Sequence, residues 1–195
     1  YNDTHPEGVT ATLEVNVVEP MVAYVDVAGT NPVFPYASWA TAATNIQDAI
    51  GTATLPRRWW VLVTNGVYRT GTVEWTRVSD WGEEIVETNR VALTNSVLVR
   101  SINGPQVTVI EGSRKEAGAD VRCAYVGSES VLSGFTLTNG YAGHGGGAMS
   151  EWSGVLTNCV LTGNSATGEY ASGGGATGGT LNNCTLTGNS AEHGG

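Results

Sequence analysis

The last third of this chain repeats itself, and the repeat limits what it can fold into. Leu132-Ser133-Gly134-Phe135-Thr136-Leu137-Thr138-Asn139 aligns with Leu156-Thr157-Asn158-Cys159-Val160-Leu161-Thr162-Gly163. Both align with Leu181-Asn182-Asn183-Cys184-Thr185-Leu186-Thr187-Gly188, so the step from Leu132 to Leu156 nearly equals the step from Leu156 to Leu181. A second phrase keeps the same order: Gly145-Gly146-Gly147-Ala148-Met149 returns as Gly173-Gly174-Gly175-Ala176-Thr177. Of 27 glycines, 18 fall in residues 127–195, which alone would suggest a linker. Two motifs recurring in one order mark structural units instead.

Helical repeats need ~33–45 residues per unit and helix formers, whereas this stretch has a shorter period, Gly triplets and β-branched residues. Leucine-rich repeats need several spaced leucines and an Asn in one consensus. What remains is an all-β chain, a parallel β-solenoid with one coil of short strands per repeat. Cys184 and Leu186 share one side of a strand, and Leu181 joins them if the chain bends at Asn182-Asn183. Asn tolerates the left-handed backbone such a bend needs. Coils stacked ~4.8 Å apart then give three interior columns. These are Leu132/Leu156/Leu181, Phe135/Cys159/Cys184 and Leu137/Leu161/Leu186.

Upstream, Val61–Gly66, Val97–Arg100, Val107–Ile110 and Val121–Val126 read as further strands, so residues 61–195 hold about five coils. The step from Val61 to Val97 is longer than the later ones, which places an inserted loop around 68–92. Residues 21–60 read as a cap: a strand over Met21–Val27, a Gly-Thr-Asn-Pro turn, and a helix with apolar Trp39, Ala42, Ala43, Ile46, Ala49 and Ile50. Thr44 and Gln47 fit a capping box, and Gly51 a stop. Trp59-Trp60 is expected to plug the junction between cap and first coil. Residues 1–20 alternate apolar and polar from Val9 to Val17, a half-buried strand with no repeat partner. It reads as a linker, the tail of a preceding domain or a donor strand. In the last case Val9, Leu13, Val15 and Val17 are the candidates for head-to-tail assembly with another copy.

Tyr24-Val25-Asp26-Val27-Ala28-Gly29-Thr30, the helix, and Val61-Leu62-Val63-Thr64-Asn65-Gly66-Val67-Tyr68 together resemble the cap and first coils of right-handed parallel β-helix proteins, the pectate-lyase-like group. Gly-Gly-Gly-Ala followed by Asn-Cys-x-Leu-Thr-Gly-Asn-Ser-Ala resembles the coils of large bacterial surface proteins in that group. The resemblance covers residues 22–195. It implies the fold and an extracellular or cell-surface place. It does not fix an activity, since the fold hosts lyases, hydrolases, esterases and adhesins.

The chemistry-bearing residues are few. Cys123, Cys159 and Cys184 form no Cys-x-x-Cys and read as small buried hydrophobes. Gly173–Gly178 matches G-x-G-x-x-G but lies inside a repeat, without the strand–helix context of a dinucleotide site. His144 and His193 read as equivalent surface turns, ~10 Å apart and too distant to share a metal. No metal or cofactor is expected. Asp80, Glu83, Glu84, Glu87, Arg90 and Arg100 are the candidates for a polysaccharide-cleaving groove, and Lys115 is the sole lysine. Trp75, Trp81 and Trp152 are candidates for stacking on sugar rings.

A net charge of −9 argues against nucleic acid as partner, and no apolar run approaches a membrane span. The expectation is a non-catalytic extracellular structural or adhesive protein, associating with its own copies or with surface polysaccharide. The alternative is a carbohydrate-active enzyme, a polysaccharide lyase or glycoside hydrolase.

Overall fold

The computed structural model describes residues 12, 21–53, 59–78, 82, 84–114 and 120–195. The assembly candidates Val9, Leu13, Val15 and Val17 lie outside them, as do Asp80, Trp81, Glu83 and Lys115. The described chain is mostly β, arranged in parallel sheets.

The first sheet places Met21–Val25, Trp59–Val63, Val97–Ser101, Val131–Ser133, Val155–Thr157 and Thr180–Asn182 side by side in chain order, all parallel. The second does the same with Gly66–Tyr68, Thr108–Glu111, Thr136–Thr138, Val160–Thr162 and Thr185–Thr187. The third joins Glu84–Leu93, Val121–Val126, Ala148–Ser150 and Ala176–Thr177 in parallel, with Val73–Val78 antiparallel on its edge. From Trp59 onward the chain visits the three sheets in rotation and returns each time beside the strand it left.

Alternation sets what each strand buries. In the first sheet Val61, Val99, Leu132 and Leu156 are fully buried register neighbours, and Leu181 follows them at 39% exposure. In the second, Tyr68, Ile110, Leu137 and Leu161 are buried in register, followed by Leu186 at 43%. The third contributes Val91, Ala124 and Ala148. Phe135 and Cys159 are buried in the same core, and Cys184 packs against it half-buried. Each fully buried Leu stabilises the stack by roughly 1.5–3 kcal/mol.

In the last three passes the corner between first and second sheets takes a left-handed residue. Gly134, Asn158 and Asn183 fill it with φ of 79°, 53° and 50°. Asn183 Nδ2 donates to Asn158 Oδ1 at 2.6 Å, so the corner is also a ladder. After the second sheet, Asn164 turns inward and is fully buried. Its Nδ2 donates to the Leu137 carbonyl (2.9 Å) and to Asn189 Oδ1 (3.0 Å), and its Oδ1 accepts from Gly140 N (2.8 Å). Asn189 repeats the bond to the Leu161 carbonyl at 2.9 Å. The Gly triplets enter the third sheet where backbones nearly touch: a Cβ on Gly146 would sit 2.2 Å from the Ser165 carbonyl oxygen.

The corners differ in length without disturbing the registers. Ala142 pairs with Ala166, His144 with Ser172 and Leu156 with Leu181, steps of unequal length that all close in parallel.

Three sequence expectations are corrected. The helix is five residues, Ile46–Ile50, preceded by a 3-10 turn at Trp39–Thr41, and Asn45 caps it by accepting from Asp48 N at 2.8 Å. The Thr44–Gln47 box does not form, because Ala43 is held extended by Tyr24 of the first strand and by Asp26 just after it. Gln47 instead bonds Ala92 N through Oε1 at 2.8 Å. Second, Val61 pairs with Val99 and Trp59 with Val97, a slip of two positions that keeps parity. Third, Trp59 and Trp60 do not act as one plug: Trp59 points inward and Trp60 outward, 40% exposed. The residues expected as an inserted loop form the hairpin of Val73–Val78 and Glu84–Leu93.

Candidate functional site

The outer face of the first sheet carries an apolar column. Register aligns Val22, Trp60, Leu98, Val131 and Val155, and each alternates with buried neighbours in its own strand. Polar residues take over at Thr180. The neighbouring outer column runs from Tyr24 and Leu62 through Arg100 to Ser133, Thr157 and Asn182, so the face grades from apolar to polar.

A groove of about 550 Å³ follows the apolar part, with Trp60, Leu98 and Val131 along it and Ser96 and Glu129 at its rim. Ser96 and Glu129 both hold left-handed backbones, φ 47° and 60°. Non-glycine residues there cost of order 1–3 kcal/mol each. In the last pass this corner is Gly178-Gly179, with φ of 73° and 62°, which carries no such cost. Ser96 Oγ donates to Glu129 Oε2 at 3.3 Å, and Glu129 N donates to Ser153 Oγ at 3.0 Å. The rim therefore presents one carboxylate, bonded by Ser96, on a residue whose backbone N–H is held by Ser153. An indole face beside a held carboxylate suits a sugar ring, whose C–H face packs on the indole while its hydroxyls donate to the carboxylate.

The tryptophans singled out in the sequence do not converge. Trp75 lies half-buried on the third sheet and stacks on Tyr125, centroids 5.0 Å apart at 30°. Tyr125 in turn donates its hydroxyl to Glu151 Oε1 at 2.5 Å. Trp152 stands 96% exposed on the next corner. Trp60, Leu98, Val131, Ser96 and Glu129 were missed by the sequence reading. The parity of Trp59-Trp60-Val61-Leu62-Val63 carried the signal for Trp60, since Trp59 shares a side with Val61 and Val63.

The charged candidates are also dispersed. Arg100 faces outward on the first sheet. Glu84 opens the second strand of the hairpin. Glu87 pairs with Arg122 at 2.8 Å. Arg90 is buried at the far corner, its Nε donating to the Glu111 carbonyl at 2.8 Å. His144 and His193 are separated by Ser172, which bridges to both, and His144 Nδ1 lies 3.1 Å from its hydroxyl. Among the described residues no three His, Cys, Asp or Glu side chains gather as metal ligands, and no helix is long and apolar enough to cross a membrane.

No family model, curated protein or solved structure matches this chain.

Proposed function

We propose that the protein is a right-handed parallel β-helix of the pectate-lyase-like kind, and that it works outside the cell as a non-catalytic structural or adhesive wall that holds a neutral saccharide. The observation that carries this reading is the outward Trp60 in an apolar column, with Glu129 and Ser96 fixed at the groove's rim. Rotation of the chain through three parallel sheets supports the fold assignment. Glycoside hydrolysis ordinarily uses two carboxylates roughly 5–9.5 Å apart, whereas the described lining of this groove offers Glu129 alone. Binding without turnover is the reading that fits one carboxylate and one indole.

One observation favours the alternative of a carbohydrate-active enzyme: Glu129 pays for a left-handed backbone at the groove, as strained catalytic residues do. Incubation with a panel of neutral and uronate polysaccharides separates the two. Retention on a neutral glycan, lost in Trp60→Ala and kept in Trp75→Ala, is the expected result. Release of reducing ends or unsaturated product, abolished by Glu129→Gln, would replace the binding reading with the catalytic one.

A further inference from the structure

At the corner between the second and third sheets, away from the Trp60 groove, a cleft of about 570 Å³ is lined by Arg69, Thr70, Thr72, Arg90, Glu111 and Ser113. Arg90 is only 7% exposed. Its Nε donates to the Glu111 carbonyl at 2.8 Å and its Nη1 to the Gly71 carbonyl, two neutral acceptors. Among the described residues no carboxylate closes an ion pair with it, and its Nη2 donates to none of them. A buried guanidinium is costly unless an anion faces it. Burial lowers its pKa, while the Glu111 charge pulls the other way. Glu111 is itself engaged, its Oε1 accepting from Asn139 Nδ2 at 2.9 Å.

The charges leave a surplus. Arg69, exposed at the rim, and Arg90 are two cations against the one carboxylate of Glu111, in a chain of net charge −9. The shape of the donor set then selects the anion. A planar carboxylate is satisfied by one open guanidinium fork, which Arg69 supplies alone, and leaves the rest of the cleft unmatched; two nitrogens of Arg90 are already taken by carbonyls. What is left is one edge of Arg90, the guanidinium of Arg69 and the hydroxyls of Thr70, Thr72 and Ser113. Donors approaching from several directions suit a tetrahedral oxyanion. A phosphate monoester carries about −1.5 to −2 at neutral pH and overcharges a cleft that already contains Glu111. A sulfate ester carries one charge and balances it.

We propose that this cleft binds a singly charged tetrahedral oxyanion of the sulfate-ester type, held by Arg90 and Arg69 with the Thr70, Thr72 and Ser113 hydroxyls around it. The site stands independently of the saccharide groove, which faces out from the first sheet.

Amide spectra of the whole chain, titrated at constant ionic strength with methyl sulfate, a singly charged sulfate ester, test it. Saturable shifts confined to residues 69–72, 90 and 111–113 are expected. Arg69→Ala, at an exposed position, weakens methyl sulfate at least ~10-fold, and acetate binds at least ~10-fold more weakly than methyl sulfate. Arg90→Gln abolishes binding; if that variant fails to fold, Arg69→Ala and Ser113→Ala still decide the matter. A sulfated polysaccharide that displaces methyl sulfate, while its desulfated form does not, makes the glycan ester the ligand; inorganic sulfate binding at least ~10-fold more tightly than methyl sulfate would overturn the charge match. Shifts that fail to saturate, acetate or methyl phosphate binding as tightly as methyl sulfate, or unchanged affinity in Arg69→Ala would overturn the proposal.

Discussion

Glu87 and Arg122 meet at 2.8 Å where the hairpin joins the body of the third sheet, and the Arg122 side chain is entirely out of solvent. Every nitrogen of its guanidinium is used, Nη2 by Glu87 and a second acceptor. Nη1 donates to Asn89 Oδ1 at 2.7 Å, Nε to the Gly145 carbonyl at 2.9 Å, and Nη2 to the His144 carbonyl at 2.8 Å. One guanidinium thus ties the hairpin to the next pass of the chain.

Removing that tie from one side leaves Glu87 facing an apolar replacement. Arg122→Leu is expected to cost about 3–5 kcal/mol, read from urea unfolding. Glu87→Leu added to it restores part of the loss, because the stranded charge is gone. Additive losses in the double variant would show that the two residues are not coupled.

Asn164 satisfies a backbone N–H and a carbonyl that no water reaches. Asn164→Ala strands both and is expected to destabilise by roughly 2–4 kcal/mol. Asn189→Ala, at a position with more solvent, costs less. Equal losses at the two sites would contradict the burial difference.

Two tyrosines should resist alkali. Burial pushes Tyr68 up to about 12, and burial together with the Glu151 carboxylate pushes Tyr125 higher still. A tyrosine whose folded pKa lies above its unfolded value, about 10, stabilises the fold fully below that pH. The contribution is lost as pH rises from the unfolded toward the folded value. Tyrosinate absorbance should therefore leave two residues un-ionised after the exposed ones have titrated, and unfolding free energy should fall from about pH 10 upward. Simultaneous titration of all tyrosines in the folded protein would refute this.

The three thiols should differ in reactivity. The Cys159 thiol lowers its neighbour Cys184 to about 6, while Cys159 itself is pushed up by that contact and by burial. Burial raises Cys123 to about 12. At neutral pH a maleimide should label Cys184 first, at one equivalent per chain, and all three only after unfolding. Mass mapping that finds Cys123 or Cys159 labelled first would reject the assignment.

The repeat made much of the architecture legible. Nearly equal steps, with leucine at matching places, correspond to the register of Leu132, Leu156 and Leu181. Upstream the signal fades because the passes are uneven. The step from Val61 to Val99 is longer than that from Val99 to Leu132, and both exceed the step from Leu132 to Leu156. The cap helix was misread because its start is decided by Ala43 pairing with the first strand, a contact local spacing does not encode. The Arg69–Arg90 cleft was invisible for a similar reason. Arg90 reaches back to Gly71 and forward to Glu111 through a hairpin whose pairing only the fold reveals.

The uneven corners have a consequence for how such a chain changes over time. The path from Ala166 to Ser172 is longer than the path from Ala142 to His144, yet the strands beyond it resume in register. Doubling a loop costs only about 0.6 kcal/mol of closure entropy. Insertions at the corner bearing Glu169 and Tyr170 are therefore nearly invisible to the stack, whereas a single residue added within a strand flips the remaining side chains of that strand to the opposite face. The molecule is thus rigid to sequence drift along its walls and permissive at its edges. A foreign peptide spliced beside Tyr170 would be displayed without being folded in.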